Sequence, residues 1–335
     1  MEKFHNTQVQ IEKLYHDKLV PGLNFAIIHQ KKVTAGTLGY SQWIPKKRQL
    51  TPLMQYDIAS LTKVVGTTTV FLRLYQEGRL NFTEPVGDYL EEFKETPVRI
   101  SHLLTHTSGI KGYIPNRNQL SKQELVESIL NLPVTEDFNQ KVVYSDTNFI
   151  LLGLIIEKIY RKSVQKVIMT EVIEPLKMNY TSFNPTKEKA VPTNYIPGEG
   201  LLQGVVHDPK ARILQERCGS SGLFSPLYDL TKFMKYFTGV VSNPLLSNQT
   251  INLLFNSKTA KYLKSRSYGW DLLEDPTQHY SLLYHTGFTG TFMIIDRRKQ
   301  TGLVVLTNRV HPTSNNQAFL TAREAIIDTF LKENT

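Results

Sequence analysis

Ser60 and Lys63 stand three residues apart in Ser60-Leu61-Thr62-Lys63, at the head of a segment, Leu61 to Glu77, that predicts a helix ending at Gly78. Positions three apart share one helix face, so the lysine lies beside the serine. A helix N-terminus favours developing negative charge and a neighbouring ammonium favours an alkoxide, which suits a serine that attacks a carbonyl. Alone, S-x-x-K is a weak signal that chance supplies in many chains. Two further groups strengthen it. Tyr144-Ser145-Asp146 directly precedes a predicted helix, Thr147 to Tyr160. A tyrosine at such an entry, facing a lysine, can share or relay a proton. His285-Thr286-Gly287 closes a predicted strand and runs into Phe288-Thr289-Gly290. Glycine there lets a substrate backbone lie against the strand edge, strand N–H groups can serve an oxyanion, and a basic residue at the strand end can attract a carboxylate.

These groups need a scaffold, and 335 residues suffice to bury a large core. Phe4 to Leu19 predicts an amphipathic helix with Val9, Ile11, Leu14 and Tyr15 toward the core. Leu23 to His29 predicts a strand, Lys31-Lys32 its turn, and Val33 to Tyr40 the hairpin partner. Near the other end, Tyr280 to His285, Thr291 to Ile295 and Gly302 to Thr307 predict three strands, followed by a helix over Ala318 to Leu331. Between them the pattern is mostly helical, as in Leu227 to Tyr236. The expected fold is therefore α/β of the α+β type: an antiparallel sheet built from both chain termini and flanked by helices, with a large inserted helical lobe. We expect a single domain over 1–335, with 1–60 and 260–335 forming the α/β lobe and 61–259 the helical one. The cleft between the lobes is the natural seat of a site.

Composition narrows the classes. Hydrophobic residues make up 40% and charged residues 21%, which is ordinary globular usage. The longest apolar run, Phe149 to Ile156, is far short of the ~20 residues of a membrane span. The opening residues show no apolar signal-peptide core, so the sequence as given reads as cytoplasmic, or as cell-wall or extracellular if a leader was trimmed. The net charge of +9 is scattered in short clusters, and Lys258, Lys261, Lys264 and Arg266 read as a solvated basic face. With no nucleic-acid module, the expected partner is a small molecule or peptide substrate; the oligomeric state is open. Cys218 reads as a small buried residue and not as a nucleophile. His102 and His106 are four apart but lack the Glu of a zinc protease, so no metal and no cofactor is expected. Gly219-Ser220-Ser221-Gly222 has the wrong spacing for a G-x-S-x-G elbow and reads as a tight loop near the site.

Taken in order, the three motifs resemble those of the family containing class C β-lactamases, penicillin-binding DD-peptidases and related esterases. The resemblance runs nearly end to end. It includes Tyr56-Asp57-Ile58-Ala59-Ser60, Gly78-Arg79-Leu80-Asn81, Ile100 to Gly109, Ser221-Gly222-Leu223-Phe224-Ser225, Tyr268-Gly269-Trp270 and Thr307-Asn308-Arg309. It implies the β-lactamase/transpeptidase fold and a serine hydrolase with a covalent acyl-enzyme. By motif, Ser60 would be the nucleophile, Lys63 would assist its deprotonation, and Tyr144 would be the shared general base and acid. Asp146, His285, Thr286, Gly287 and Phe288 would contact substrate, with the N–H groups of Ser60 and Phe288 as the oxyanion hole.

Two positions depart from the β-lactamase pattern. Relatives of that type usually carry Lys where this chain has His285 and Asn where it has Asp146. A carboxylate near Lys63 favours the ammonium and repels an anionic substrate, which leans toward a peptidase or esterase. The alternatives are a true class C-type β-lactamase, or a non-catalytic binding or assembly protein on the same scaffold.

Overall fold

The computed structural model describes residues 3–95, 97–111 and 114–335. Helix α1 (His5–His16) leads into strands β1 (Gly22–His29), β2 (Lys32–Gln42) and β3 (Arg48–Gln49) and a short strand β4 (Tyr56–Asp57). A π-helical stretch, Lys63–Thr67, continues as α2 (Thr68–Gln76); then come α3 (Asp146–Tyr160), the short α4 (Pro209–Leu214), β5 (Phe224–Ser225) and α5 (Leu227–Thr238). The last elements are β6 (Asp271–Glu274), β7 (Ser281–Thr286), β8 (Phe292–Asp296), β9 (Thr301–Thr307) and α6 (Gln317–Glu333).

Seven strands form one antiparallel sheet in the order β3-β2-β1-β9-β8-β7-β6. The first long strand lies against the last, in register from Leu23 opposite Thr307 to His29 opposite Thr301. The sheet from both ends of the chain is thus as expected. Side chains alternate across a strand, so Phe25 and Ile27 point one way and Ala26 and Ile28 the other. The first set packs with Leu303 and Val305 under α1 and α6, against Ile11, Leu14, Phe319, Ile326 and Phe330. The second set joins Val304 and Leu306 in a larger core with Phe233, Met234 and Phe237 of α5 and the helical segments beyond. Each such side chain, fully buried, contributes roughly 1.5–3 kcal/mol of apolar transfer. Both faces of the central strands are covered, which is why β1 and β9 are almost uniformly buried.

Local details differ from the sequence reading. The hairpin turn is Gln30-Lys31, because Lys32 already pairs with His29. Val9 is exposed: it lies two residues, about 200°, from both Thr7 and Ile11, which face the core. Phe4, just before α1, is buried in its stead and stacks on Phe330 with ring centroids 5.1 Å apart. Strand β6 was not anticipated. Among the described residues, no helix is long and apolar enough to cross a membrane.

Candidate active site

Ser60 follows a backbone bend. Strand β4 pairs with β5, and two residues later Ala59 adopts a left-handed φ of 46°. For a residue with a Cβ this conformation is disfavoured, so surrounding contacts must hold it. They are present. Asp57 Oδ1 accepts from the Ala59 N–H at 2.9 Å, and its Oδ2 accepts from the His207 N–H at 2.7 Å. Burial pushes the Asp57 carboxyl up to about 6. From the far end of the chain, Thr289 Oγ1 donates to the Asp57 carbonyl at 2.7 Å and Thr291 Oγ1 to the Ile58 carbonyl at 3.2 Å. Gly287 belongs to this bracing: a Cβ there would lie 2.6 Å from the Ile58 carbonyl oxygen. Its lack of a side chain therefore serves the close approach of the Ser60 loop, a packing role that the sequence reading did not foresee.

Lys63 is fully buried, one turn on from Ser60. Its Nζ donates to Ser60 Oγ at 2.8 Å, Asp146 Oδ1 at 2.7 Å and the Ser220 carbonyl at 2.9 Å. An ammonium has three donors, and all three are used. Burial alone pushes this group down, but the Asp146 carboxylate and the Tyr144 hydroxyl hold it well above its ordinary value. The π-helical turn that starts at Lys63 is tied to the same loop by Thr67 Oγ1, which donates to the Gly219 carbonyl at 2.6 Å. The Gly219–Gly222 segment thus lies at the site, as expected.

Asp146 opens α3, with Ser145 as its N-cap. Two positions earlier, the Tyr144 ring packs on His106 with centroids 4.5 Å apart, and Lys63 Nζ lies 5.2 Å from the ring centre. His106 accepts at Nδ1 from the Ser145 N–H and from Asn148 Nδ2. Its neighbour in sequence spacing, His102, instead accepts at Nδ1 from the Arg99 N–H, so the two imidazoles have separate structural partners.

Strand β6 pairs with β7 only as far as Asp271 opposite Tyr284. His285 and Thr286 extend beyond it, paired on one side with β8. His285 is buried, and its Nδ1 faces the Thr286 carbonyl at 3.0 Å, which makes Nδ1 the donor. Burial, then the Arg266 and Lys63 charges, push His285 down to about 3, so the imidazole is neutral at physiological pH. It brings no charge to the strand end. Phe288, 54% exposed, stacks on His207 and lies under Arg309. Among the described residues, the N–H groups of Ser60 and Phe288 donate to no protein acceptor. A cavity of about 370 Å³ is lined by Ser60, Tyr144, Asp146, Lys210, Ser221 and Phe288, among others.

Two cations were missed by the sequence reading. Lys210 Nζ donates to Asp146 Oδ2 at 2.8 Å. The Asp146 carboxylate is therefore shared between two ammonium groups, which together hold it well below the usual range against the upward push of burial. The expected uncompensated negative charge beside Lys63 is absent, because Lys210 offsets it. Arg266 is not on a solvated face. It is buried, donates to Asp271 Oδ1 at 2.7 Å, and sits 5.8 Å from the Tyr144 ring centre. Cys218 is buried, and burial pushes its thiol up.

Nearly the whole chain resembles known proteins. A family model described as Beta-lactamase matches residues 10–326. An N-acetylmuramyl-L-alanine amidase of Bacillus subtilis (strain 168) is 27% identical over 315 residues, spanning 81% of this chain and 71% of that protein. A putative D-alanyl-D-alanine carboxypeptidase of Salmonella agona (strain SL483) is 28% identical over 313 residues, spanning 78% and 71%. A class C beta lactamase from Rhodobacter sphaeroides superposes with a TM-score of 0.77 at 17% identity, over 97% of this chain and 99% of the other; that likeness is one of fold.

Proposed function

The chain belongs to the Beta-lactamase family, and we propose that it is a serine hydrolase working through a covalent acyl-enzyme on Ser60. The observation that carries the assignment is the 2.8 Å contact from Lys63 Nζ to Ser60 Oγ at the wall of an open cavity. Because Ser60 Oγ accepts from Lys63, its own hydrogen is free to point elsewhere. Tyr144 relays that proton: its hydroxyl oxygen accepts it as Oγ attacks the substrate carbonyl carbon, while its own hydrogen passes to the leaving group as the scissile bond breaks. Lys63 already carries all its protons, so it acts as a cation that favours the alkoxide, and not as the base. The N–H groups of Ser60 and Phe288 receive the oxyanion. Water then attacks the acyl-enzyme along the same proton path.

The substrate class follows from charge. The strand end that would hold a substrate carboxylate offers a neutral His285. Esters and amides that carry no free carboxylate fit this end of the site better than anionic β-lactams or free-acid D-peptides, and the amidase name of one relative points the same way. The test is labelling with a fluorophosphonate and a fluorescent penicillin, followed by hydrolysis of matched ester, D-peptide and cephalosporin substrates. Ser60→Ala removes both labelling and turnover without loss of the fold. Labelling that survives, with the modified peptide mapping to Ser221 or Cys218, refutes the assignment.

A further inference from the structure

Lys210 lies 64 residues from Asp146 in sequence, yet its ammonium meets the carboxylate at 2.8 Å. Its backbone is fixed to make this possible. Asp208 caps α4, its Oδ1 accepting from the Lys210 N–H at 2.9 Å, and Pro209 occupies the first helical position. Asp208 is itself tied to the site, since its Oδ2 accepts from Ser221 Oγ at 3.2 Å. The two carboxylate oxygens of Asp146 are divided between the lysines, Oδ1 to Lys63 and Oδ2 to Lys210. The terminal torsion of an aspartate is soft and roughly two-fold, so a contact at one oxygen alone leaves the carboxylate plane poorly fixed. Contacts at both oxygens fix it.

We propose that Lys210 is a positioning residue that clamps Asp146, and through it holds Lys63 Nζ on Ser60 Oγ. The inference rests on the assignment of Ser60 as nucleophile. It extends the constellation to a fourth segment of the chain, outside the three motifs, and it explains how a carboxylate is accommodated beside Lys63. Lys63 has two other acceptors, Ser60 Oγ and the Ser220 carbonyl, so a loosened Asp146 leaves it bound but less well aimed. The consequence appears in the acylation step more than in substrate binding.

The experiment is a double-mutant cycle on a neutral p-nitrophenyl ester, with Lys210→Met, Lys210→Arg, Asp146→Asn and the Asp146→Asn/Lys210→Met pair, alongside Ser60→Ala and a melting curve for each. Lys210→Met is expected to lower kcat about 5-fold, no more than Asp146→Asn itself, with KM within about 2-fold. Lys210→Arg, which keeps the charge and a donor, recovers most of that loss. In the Asp146→Asn background the effect of Lys210→Met shrinks below about 2-fold, because the clamp has nothing left to hold. Three results overturn the proposal: no loss of kcat in Lys210→Met, the same loss with and without Asp146, or a change confined to KM. If Lys210→Met fails to fold, Lys210→Gln replaces it on the same criteria. If Ser60→Ala stays active, the nucleophile assignment itself falls; if Ser60→Ala is dead and the cycle is additive, the clamp alone falls.

Discussion

Replacing Asp146 by asparagine removes one charge and keeps the shape, and its effect on two kinds of substrate can be worked through. In the native site two ammonium groups and one carboxylate meet, so the local charge is +1. Asparagine makes it +2. Its single oxygen can serve Lys63, which turns its amide NH₂ toward Lys210, a donor against a donor. Lys210 then leaves for Asp208, whose Oδ1 is already 3.8 Å away. The Lys63 contact weakens from charge-assisted to ordinary, a loss of about 1 kcal/mol or roughly 5-fold in kcat/KM, common to all substrates. An anionic β-lactam gains in return. A unit charge at about 7 Å in a water-open cleft, with an effective dielectric of about 40, contributes about 1 kcal/mol, again roughly 5-fold. A neutral ester therefore slows about 5-fold while a cephalosporin holds level, and their ratio shifts about 5-fold toward the cephalosporin. The assay is kcat/KM for a cephalosporin and a neutral p-nitrophenyl ester on both proteins at fixed ionic strength. A ratio unchanged within about 2-fold refutes the electrostatic reasoning, and fast cephalosporin turnover by the unmodified protein refutes the ranking of substrates.

Lys63→Ala and Tyr144→Phe are each expected to slow acylation by more than ~10²-fold, with the double variant well short of the product of the two, because both serve one proton path; simple multiplication in single-turnover rates argues that they act independently. His285 is held at about 3 and His106 well below its ordinary 6.5, so between those values the unfolded chain binds protons that the folded one does not. Stability is therefore lost as pH falls below about 6.5, with Asp57, raised to about 6, opposing in part. His285→Gln should shrink the drop in Tm between pH 7.5 and 5, and an equal drop in both proteins contradicts the linkage. Gly287→Ala forces its Cβ against the Ile58 carbonyl and Thr291 Oγ1, so it should cost about 1–3 kcal/mol of stability and lower kcat, read by denaturant melts and ester turnover.

The sequence carried the sheet and the three motifs because each is written locally. Short apolar runs rich in β-branched residues mark β1, β8 and β9, and helix entries mark Ser60 and Asp146. Lys210 was not legible in the same way. Its signal, Asp208-Pro209 ahead of a short helix, announces a helix start but says nothing of what lies across the cleft. Arg266 was misread because Lys258, Lys261 and Lys264 around it are surface-like in composition, while the turn into β6 sends the arginine inward to Asp271. The order of Val9 and Phe4 failed for a related reason: the helix begins at His5, and packing on Phe330 selects the residue before it. Local pattern predicts elements, whereas the partner across a cleft is fixed only by the assembled chain.

The pairing of β1 with β9 has a consequence for when activity can arise during synthesis. The loop that presents Ser60 is braced by Thr289 and Thr291, more than 230 positions further along. Until the segments after residue 286 have left the ribosome, β1 lacks its neighbour β9 and the Ser60 loop lacks the bracing from Thr289 and Thr291. Such long-range closure makes folding slow relative to helical domains of equal size, and it makes it late. On the proposed assignment, a nascent chain that already contains Ser60, Lys63 and Tyr144 is therefore expected to be hydrolytically silent, and a product ending before residue 287 would carry all three and still not assemble the site.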